Sequence, residues 1–567
     1  MLLNRVFSSV LTLRGSLAAL ALVWAASIFI VGPAGEFFVN DDWSFARAFE
    51  NFVSSGRMAS TGWGPSYAPG GPALLVHILW GRLFTLFAGQ SMTVLRLSVL
   101  VMGILGSVGM LILLRSAGCS RLTSLIAALA AATNPLYLSQ SFTFMSDIAF
   151  AALSVYALLF LSLAVQNRSQ PLLIIGFAFC LASILVRQIG AVMAAAFLWM
   201  CLVHPRCRAL GFGRSLATAA LVVFLPWFLY EYGLFVRGGT PLFQHQVVHD
   251  LVRNFTERSW SGYATLLGCN LLGALLYCGL FTSPIWLLRF GQFLRKKGFV
   301  VFLALVLAAF MILEIGILTA RWSPPVFFWG NVISNFAIGP ILLKDVAILK
   351  VHRVGHLEPW AYYIWVFVAT LGVGIMVGRT RIALRGLFRR SLERERTSFL
   401  GGLALWSGLF YLAFICASGF HDRYLIPLIL WFMAWLAAED ADRTSGGSLA
   451  TGAAALGMTV VIAALSVAGL HDFMEMKRAQ YKAQQYVAGQ LQLDPCSYDG
   501  GFEFNGYHCY QSTYRPTPGK SWWWVHDEKA VLTLGPLPGY RVERVFPFRR
   551  WLGPDGAVHV LIPASGG

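Results

Sequence analysis

Two adjacent carboxylates, Asp41 and Asp42, follow the first long apolar run of the chain. A carboxylate can serve as a general base, and carboxylate oxygens are the ligands that Mg²⁺ or Mn²⁺ prefers. Acidic residues in the first turn of a helix can instead simply complement the helix dipole. The position favours the chemical interpretation, because a membrane-embedded substrate would present its headgroup just beyond the first membrane helix.

A third carboxylate, Asp147, stands at the edge of a later apolar run. An ionised carboxylate at membrane depth is costly unless it is paired, so such a residue is usually functional or partnered. The alternative interpretation is a cap for the helix that begins there.

The segment Gly419–Pro427 reads Gly-Phe-His-Asp-Arg-Tyr-Leu-Ile-Pro and separates two apolar runs. Arg423 carries a permanently charged, planar fork of donors that suits a phosphate group. The alternatives are a charge that simply ends a membrane span, or a surface ion pair with Asp422, which would contribute little stability. Further ionisable residues at apolar runs are Arg96, Arg187, Glu231 and Glu314.

The composition indicates which kind of fold must position these residues. Only 12% of the 567 residues are charged and 57% are hydrophobic, whereas soluble domains carry about 25% charged residues. A water-soluble fold of this length could not cover its surface with so few charges, so we predict an integral membrane protein. The formal charge of +17 does not indicate nucleic-acid binding, because the basic residues cluster in short loops between apolar runs.

Apolar runs of about 20 residues are long enough to cross a bilayer, and on this basis we predict about thirteen transmembrane helices. They are placed at 15–33, 92–114, 122–140, 148–166, 171–187, 189–204, 215–232, 264–288, 298–320, 361–378, 398–417, 424–438 and 449–470.

The distribution of Lys and Arg sets the predicted orientation. Basic loops, above all 379–397 with its seven arginines, would face the inside and leave the C-terminal tail outside. The apolar segment 70–90 would reverse every later helix if it spanned the membrane, so we predict an interfacial or re-entrant helix there.

After Asp41, apolar residues recur at helical spacing and polar residues fill the other face, which predicts an amphipathic helix on the membrane surface. Asn40 is expected to cap its start, and Gly56 is expected to end it.

We predict three regions: a transmembrane catalytic domain over 1–470, a first outer loop with amphipathic helices over 34–91, and a small outer α+β domain over 471–567. The last should open with a helix from Asp472 to about Leu491. Strands are expected at Trp522–Val525 and Val558–Ile562.

Cys496 and Cys509 lie together in this polar tail, whereas the other cysteines lie in or beside apolar segments. If the tail is outside the membrane the two can form a disulfide, although the sequence does not show their separation in space.

The polar clusters, in this order, resemble the GT-C glycosyltransferase superfamily, and within it the bacterial branch related to protein O-mannosyltransferases and lipid A aminoarabinose transferases. That family shows an acidic pair after the first helix, matched by Asp41-Asp42, and an Asp at the start of the fourth helix, matched by Asp147. Its late Arg-Tyr-Leu-x-Pro element is matched by Arg423–Pro427, and its proline-containing segment by Tyr67–Pro72. The lysine that aminoarabinose transferases carry in the last segment is absent here.

The resemblance implies an all-α polytopic membrane fold and a transferase on the periplasmic side of a bacterial inner membrane. The donor would be a polyprenyl-phosphate sugar, and the acceptor would be a hydroxyl of a glycan, a lipid or a protein. Residues implied in catalysis, with Asp41 as the general base and all three as candidate ligands of a divalent cation, are Asp41, Asp42 and Asp147. Residues implied in substrate binding are Arg423, Tyr424, His421, Tyr67 and Arg96.

Three other functions fit parts of the sequence. A polytopic lipid or sugar transporter would often show inverted repeats, and none is evident. A transferase resembling O-antigen ligases, with a diphosphate-linked donor, would want Arg and His in a late outer loop; the stretch 321–360 contains Arg321, His352, Arg353 and His356. The third is a non-enzymatic assembly protein that uses its tail as a binding module.

Overall fold

The computed structural model describes residues 12–56, 74–236, 251–253, 255–288, 290, 299–318, 331–334, 337–352, 359–388, 398–439, 449–511, 514–516, 523–525 and 527–564. The predicted site residue Tyr67 lies outside the described residues, together with the rest of its proline-containing segment. Arg321, Arg353 and His356 also lie outside them.

The described chain is mostly helical, and every predicted apolar span overlaps one helix or two consecutive helices. The helices are α1 Leu13–Val31, α2 Asp42–Ser55, α3 Leu75–Ala88, α4 Met92–Ser116, α5 Arg121–Thr133, α6 Pro135–Ser141, α7 Ser146–Asn167, α8 Gln170–Ile184, α9 Ala191–Val203, α10 Phe212–Val236 with a π-turn inside it, α11 Trp260–Phe281, α12 Ser283–Leu287, α13 Phe299–Leu318, α14 Pro359–Phe388, α15 Phe399–Ser418, α16 Ile426–Ala438, α17 Leu449–Gly489 and α18 Phe502–Cys509. The polytopic helical fold predicted from the composition is therefore confirmed.

Fewer of the described helices than predicted are long and apolar enough for a full membrane span. Within the described residues, eight helices are long and apolar enough to cross a membrane, or nine if α5 and α6, which meet at 58°, form one bent span. Helices α8, α9 and α16 have only 15, 13 and 13 residues. At 1.5 Å per residue each reaches about 20 Å, less than the roughly 30 Å of a hydrocarbon core.

Helix α7 forms the centre of the bundle, and 83% of its most apolar stretch is buried. It packs against α4, α8 and α16. The indole of Trp431 on α16 donates a hydrogen bond to Ser154 Oγ on α7 at 3.0 Å. Because Asp147 lies in the first turn of α7, this packing fixes its position relative to the turn before α16.

Glycines allow a close crossing between α11 and α14. A Cβ on Gly372 would clash with the carbonyl oxygen of Gly279. Small residues at such crossings let two backbones touch, which is a common device in membrane helix bundles.

The segment after α1 forms the predicted helix, but its N-terminal cap lies one residue later than predicted. Gly56 ends α2 in a left-handed conformation, as expected. Asn40 is not the cap: Asp41 occupies that position, while Asn40 itself has a φ of 56° and donates through its amide to Asn331 Oδ1. Helix α3 confirms a helical segment within 70–90, and its His77 is buried and stacks on Phe144.

Helix α17 is 41 residues long and runs through the predicted domain boundary at 470. The two helices expected at 449–470 and from Asp472 onward are therefore one. Its C-terminal half packs against the tail sheet, which is antiparallel with the order β3 Val531–Thr533, β5 Gly556–Pro563 and β4 Tyr540–Phe548.

Of the two strands predicted in the tail, one is confirmed and the other is wrong where it is described. Strand β5 confirms the strand expected at Val558–Ile562. The strand expected at Trp522–Val525 is wrong for Trp523–Val525, which form a bend, and Trp522 lies outside the described residues. Cys496 and Cys509 form a disulfide. Two short strands of two residues each, β1 Ile333–Ser334 and β2 Ala337–Ile338, also pair antiparallel in the described chain.

Candidate active site

The first ion pair of the site joins Asp41 to Arg423, which are 382 residues apart. Arg423 Nη2 lies 2.7 Å from Asp41 Oδ2. Asp41 stands at the N-terminus of α2, and Arg423 belongs to a short 3₁₀ turn, Asp422–Leu425, that leads into α16. The Asp41 side chain keeps 24% of its surface exposed, against 6% for Arg423, so the carboxylate is the more accessible of the two partners.

A second ion pair joins Asp147 to Arg187. Arg187 Nη2 lies 2.9 Å from Asp147 Oδ1, and Arg187 Nε donates to Ser146 Oγ at 3.2 Å. Asp147 is buried, and its other oxygen, Oδ2, has no hydrogen-bond partner among the described residues. The ion pair with Arg187 agrees with the expectation that a carboxylate at this depth is functional or partnered.

Tyr424 connects the two ion pairs. The guanidinium carbons of Arg187 and Arg423 lie 4.8 and 5.5 Å from the centre of its ring. The exposed His421 contacts the same ring, with ring centres 5.6 Å apart. Asp147 acts electrostatically on Arg423 together with Asp41. We call the set of Asp41, Asp147, Arg187, His421, Arg423 and Tyr424 the arginine–carboxylate cluster.

Asp422 holds Arg423 in place rather than pairing with it. Its buried carboxylate accepts hydrogen bonds from the backbone N–H groups of Asn331, Val332 and Ile333 at 2.8 to 3.0 Å. Burial raises its pKa, and these backbone bonds oppose the rise. The surface pair considered from the sequence is therefore not formed, and Asp422 is an internal anchor for the turn.

Asn331 ties this anchor to the base of α2. Its side-chain oxygen accepts from Arg423 Nη1 at 3.3 Å and from the amide of Asn40. Asn40, which precedes Asp41, and Arg423, which pairs with Asp41, thus donate to the same oxygen of Asn331. This shared acceptor fixes the distance between Asp41 and Arg423.

Asp42 differs from its neighbour, because its side chain is completely buried. Oδ1 accepts from the backbone N–H of Val39 at 2.7 Å, and Oδ2 lies 3.5 Å from that of Phe144. Burial raises its pKa to about 7, against the opposing charge of Arg96 and the two backbone bonds. Asp42 therefore lies outside the cluster and holds the turn that carries Asp41 against the start of α7.

This environment predicts a pH-dependent stability. The folded pKa of Asp42 is raised above the ordinary value of 3.8, so the neutral carboxyl stabilises the fold at low pH and that stability is lost as the pH rises through about 7. The melting temperature of Asp42→Asn minus that of the wild type should increase between about pH 5 and about pH 8. A difference that stays constant over that range would contradict the assignment.

Arg96 is also placed away from the cluster. Its buried guanidinium donates to the carbonyl oxygens of Pro33 and Phe37 at 2.6 and 2.9 Å and lies over the Phe37 ring. Arg96 therefore shapes the loop between α1 and α2, and none of these contacts supports its predicted role in substrate binding.

The carboxylates do not fit a divalent metal ion in this arrangement. In the part of the chain that the structure describes, no three His, Cys, Asp or Glu side chains are close enough to hold one. Asp41 and Asp147 each face an arginine, and Asp42 faces backbone N–H groups. Guanidinium groups therefore already stand beside Asp41 and Asp147 where a metal would have to bind.

Comparisons with known proteins cover part of this site. Residues 72–230 match the sequence model of the family described as dolichyl-phosphate-mannose-protein mannosyltransferase. This region includes Asp147 and Arg187, whereas Asp41 and Arg423 lie on either side of it. No curated protein matches the chain at a significant level.

Solved structures resemble the chain only distantly. The crystal structure of ArnT from Cupriavidus metallidurans in the apo state is 14% identical, over 96% of this chain and 97% of that one, with a TM-score of 0.38. The crystal structure of the same protein bound to undecaprenyl phosphate is 13% identical, over 97% of this chain and 98% of that one, with a TM-score of 0.38. The oligosaccharyltransferase of Archaeoglobus fulgidus in the apo form is 14% identical, over 76% of this chain and 56% of that one, with a TM-score of 0.31. Scores this low carry no argument about the site.

The family match extends from α3 into α10 and contains one of the two ion pairs of the cluster. Over residues 72–230 the chain matches the dolichyl-phosphate-mannose-protein mannosyltransferases, which agrees with the predicted resemblance to protein O-mannosyltransferases.

Proposed function

We propose that the protein is a membrane glycosyltransferase that moves a sugar from a polyprenyl-phosphate donor to an acceptor hydroxyl. The observation that carries the proposal is the contact between Asp41, a partly exposed carboxylate, and Arg423, a fixed cation beside a second arginine. The proposal takes Asp41 as the base and Arg423 as part of the phosphate site, and the ion pair between them supports this.

Asp41 is the general base of the proposed reaction. The acceptor oxygen attacks the anomeric carbon of the donor sugar and forms the new glycosidic bond, while its proton passes to the Asp41 carboxylate. The bond between the anomeric carbon and the phosphate oxygen breaks, and its electron pair leaves with the polyprenyl phosphate. A positioned carboxylate typically contributes 10²- to 10⁴-fold in rate to such a step.

Arg423 and Arg187 stabilise the leaving phosphate. Their guanidinium groups approach the same tyrosine ring, Tyr424, from distances of 5.5 and 4.8 Å. Charge-assisted, bidentate bonds from arginine are well suited to phosphate oxygens. Asp147 orients Arg187, and its unpartnered Oδ2 can accept a hydrogen bond from a sugar hydroxyl.

The proposed location is the outer, periplasmic face of a bacterial inner membrane, with a glycan, a lipid or a protein as acceptor. The support is the positive-inside distribution of arginine in the loops. The cluster lies at the starts of α2 and α7, in the turn after α8 and in the turn that leads into α16, where we place the emerging lipid-linked headgroup.

The described residues do not favour the diphosphate-linked donor. Of the late basic residues on which that alternative rests, His352 pairs with Asp345 at 2.9 Å, and Asp345 also accepts from the backbone of Leu534 beside the tail sheet. His352 is thus held by the tail and does not join the cluster.

The test of the proposal is sugar transfer by the purified full-length chain in lipid vesicles. We expect turnover with a polyprenyl-phosphate sugar, release of free polyprenyl phosphate, and little turnover with polyprenyl-diphosphate or nucleotide sugars. We expect equal turnover after treatment with a chelator, because both carboxylates of the cluster are paired with arginine. A strict requirement for a diphosphate-linked donor would contradict the proposal, as would transport of the intact donor without cleavage.

A further inference from the structure

The turn that presents Asp41 has an unusual backbone conformation at the residue before it, Asn40. The φ of Asn40 is 56°, in the left-handed region. Side chains meet a steric penalty there, although asparagine tolerates it better than most residues. Such a conformation persists only where the surrounding structure holds it, and it is often found at functional sites. The contacts of Asn40 therefore help to set the position of Asp41.

Two contacts from distant parts of the chain hold Asn40. Its side-chain amide donates to Asn331 Oδ1. Its backbone N–H donates to Glu503 Oε1 at 3.2 Å, and Glu503 lies in the tail helix α18. The second contact joins residues that are 463 positions apart, so the tail reaches the turn beside the proposed base.

Glu503 is itself held in place from α17. It is 2% exposed, as is Lys477, whose Nζ lies 3.0 Å from Glu503 Oε1. Lys477 Nζ also donates to Gln480 Oε1 at 2.9 Å. Because charge-assisted hydrogen bonds are short and strong, the long helix α17 fixes the oxygen that accepts from Asn40.

The tail helix α18 also packs along α2. Trp43 is completely buried, and its ring meets that of Phe502 edge-on with ring centres 6.2 Å apart. A Cβ at Gly506 would clash with the indole of Trp43. Further along α2, Glu50 accepts from the Tyr507 hydroxyl at 2.6 Å. Helices α2 and α18 are therefore packed against each other over several turns of α2.

We propose that Glu503 is a positioning residue for Asp41, so that the tail completes the site of the proposed transferase. By accepting from the Asn40 N–H, Glu503 holds the left-handed turn that directs the Asp41 carboxylate at Arg423. The role rests on Asp41 being the base of the proposed reaction, whereas the contact between Glu503 and the turn does not depend on any reaction.

Two double variants separate the acceptor oxygen from the buried charges. Lys477→Met with Glu503→Gln keeps an oxygen for the Asn40 N–H, whereas Lys477→Met with Glu503→Met removes it. Both remove the whole ion pair, so neither leaves an unpaired buried charge that would destabilise the fold. Because glutamine and methionine are similar in size, the two variants differ chiefly in this one hydrogen bond.

Hydrogen–deuterium exchange of the full-length protein, followed by mass spectrometry, tests the contact without any substrate. In peptides that contain Asn40, the methionine variant should exchange roughly two- to tenfold faster than the glutamine variant, the range expected for the loss of one hydrogen bond. Peptides from the membrane helix α15 should exchange alike in both. Equal exchange of the Asn40 peptides in the two variants would overturn the proposal.

Transfer kinetics with a polyprenyl-phosphate sugar test whether the contact acts through Asp41. The kcat of the methionine variant should be roughly two- to tenfold below that of the glutamine variant, with an unchanged donor KM. When Asp41→Asn is added to both, they should share one residual rate, because effects that act through the same group are not additive.

A purely structural role of Glu503 would preserve the difference in kcat after Asp41→Asn is added, and that result would overturn the proposal. Equal kcat values with Asp41 intact would overturn it as well. Full turnover by the single variant Asp41→Asn would instead overturn the proposed base, and this inference with it, even if the exchange rates confirm the contact. The two failures are therefore distinguishable.

Discussion

Replacement of Asp41 by Asn is expected to reduce the turnover number by about 10²- to 10⁴-fold, the usual contribution of a general base. The amide keeps the shape of the carboxylate and can still accept a hydrogen bond from Arg423, but it cannot take a proton from the acceptor. The donor KM should therefore change much less than kcat, because binding of the phosphate depends on the arginines. The measurement is steady-state transfer by the purified variant with varied donor concentration.

The matched control is Asp527→Asn, which makes the same chemical change at a carboxylate that is 59% exposed and pairs only with Lys529 in the described chain. It should transfer at the wild-type rate. Full turnover by Asp41→Asn would remove Asp41 from the reaction. Equal losses in both variants would indicate a general effect of charge instead.

Replacement of Arg423 by Ala is expected to raise the donor KM and lower kcat, with kcat/KM falling roughly 10- to 100-fold. This range corresponds to the loss of one charge-assisted hydrogen bond, worth about 1.5–3 kcal/mol. Arg423→Lys should recover part of the loss, because lysine restores the charge but not the planar fork that binds two oxygens. The fold should persist, because Asp422 anchors the turn through backbone N–H groups that neither variant alters.

Binding of polyprenyl phosphate, measured without turnover, separates this role from a purely structural one. The affinity should fall in Arg423→Ala and stay unchanged in Arg541→Ala, whose side chain is 63% exposed on the tail sheet. An unchanged affinity in Arg423→Ala would assign the phosphate to another part of the protein.

The helices and the candidate residues could be predicted from the sequence because both depend on local patterns. Long apolar runs define membrane helices. In a chain with only 12% charged residues, the few charges near those runs stand out. Asp147 and Arg423 were found in this way.

The partners of these residues could not be predicted, because nothing local determines them. Arg423 meets Asp41 across 382 residues of chain, and Arg187 was one of several ionisable residues at apolar runs with no signal that matched it to Asp147. Asn331 had no signal at all. These contacts exist because α7 and α16 pack side by side and bring their N-terminal ends together.

The environments of the two adjacent acids, Asp41 and Asp42, could not be predicted either. The resemblance favoured Asp41 as the base, but the local sequence does not show which of Asp41 and Asp42 stays accessible, since both are aspartates next to one helix start. The structure turns Asp41 toward Arg423 and buries Asp42 against Val39 and Phe144. Of these two neighbouring residues, Asp41 is thus the candidate base, and Asp42 positions the turn that carries it.

Photo-crosslinking with a polyprenyl phosphate that carries a diazirine next to the phosphate tests the central claim most directly, because it asks whether one headgroup meets both halves of the cluster. Mass spectrometry of the labelled wild-type protein should identify peptides that contain Asp41 and peptides that contain Arg423, and Arg423→Ala should lose both. Labels confined to regions remote from these two residues, or labelling that Arg423→Ala leaves intact, would contradict a shared phosphate site.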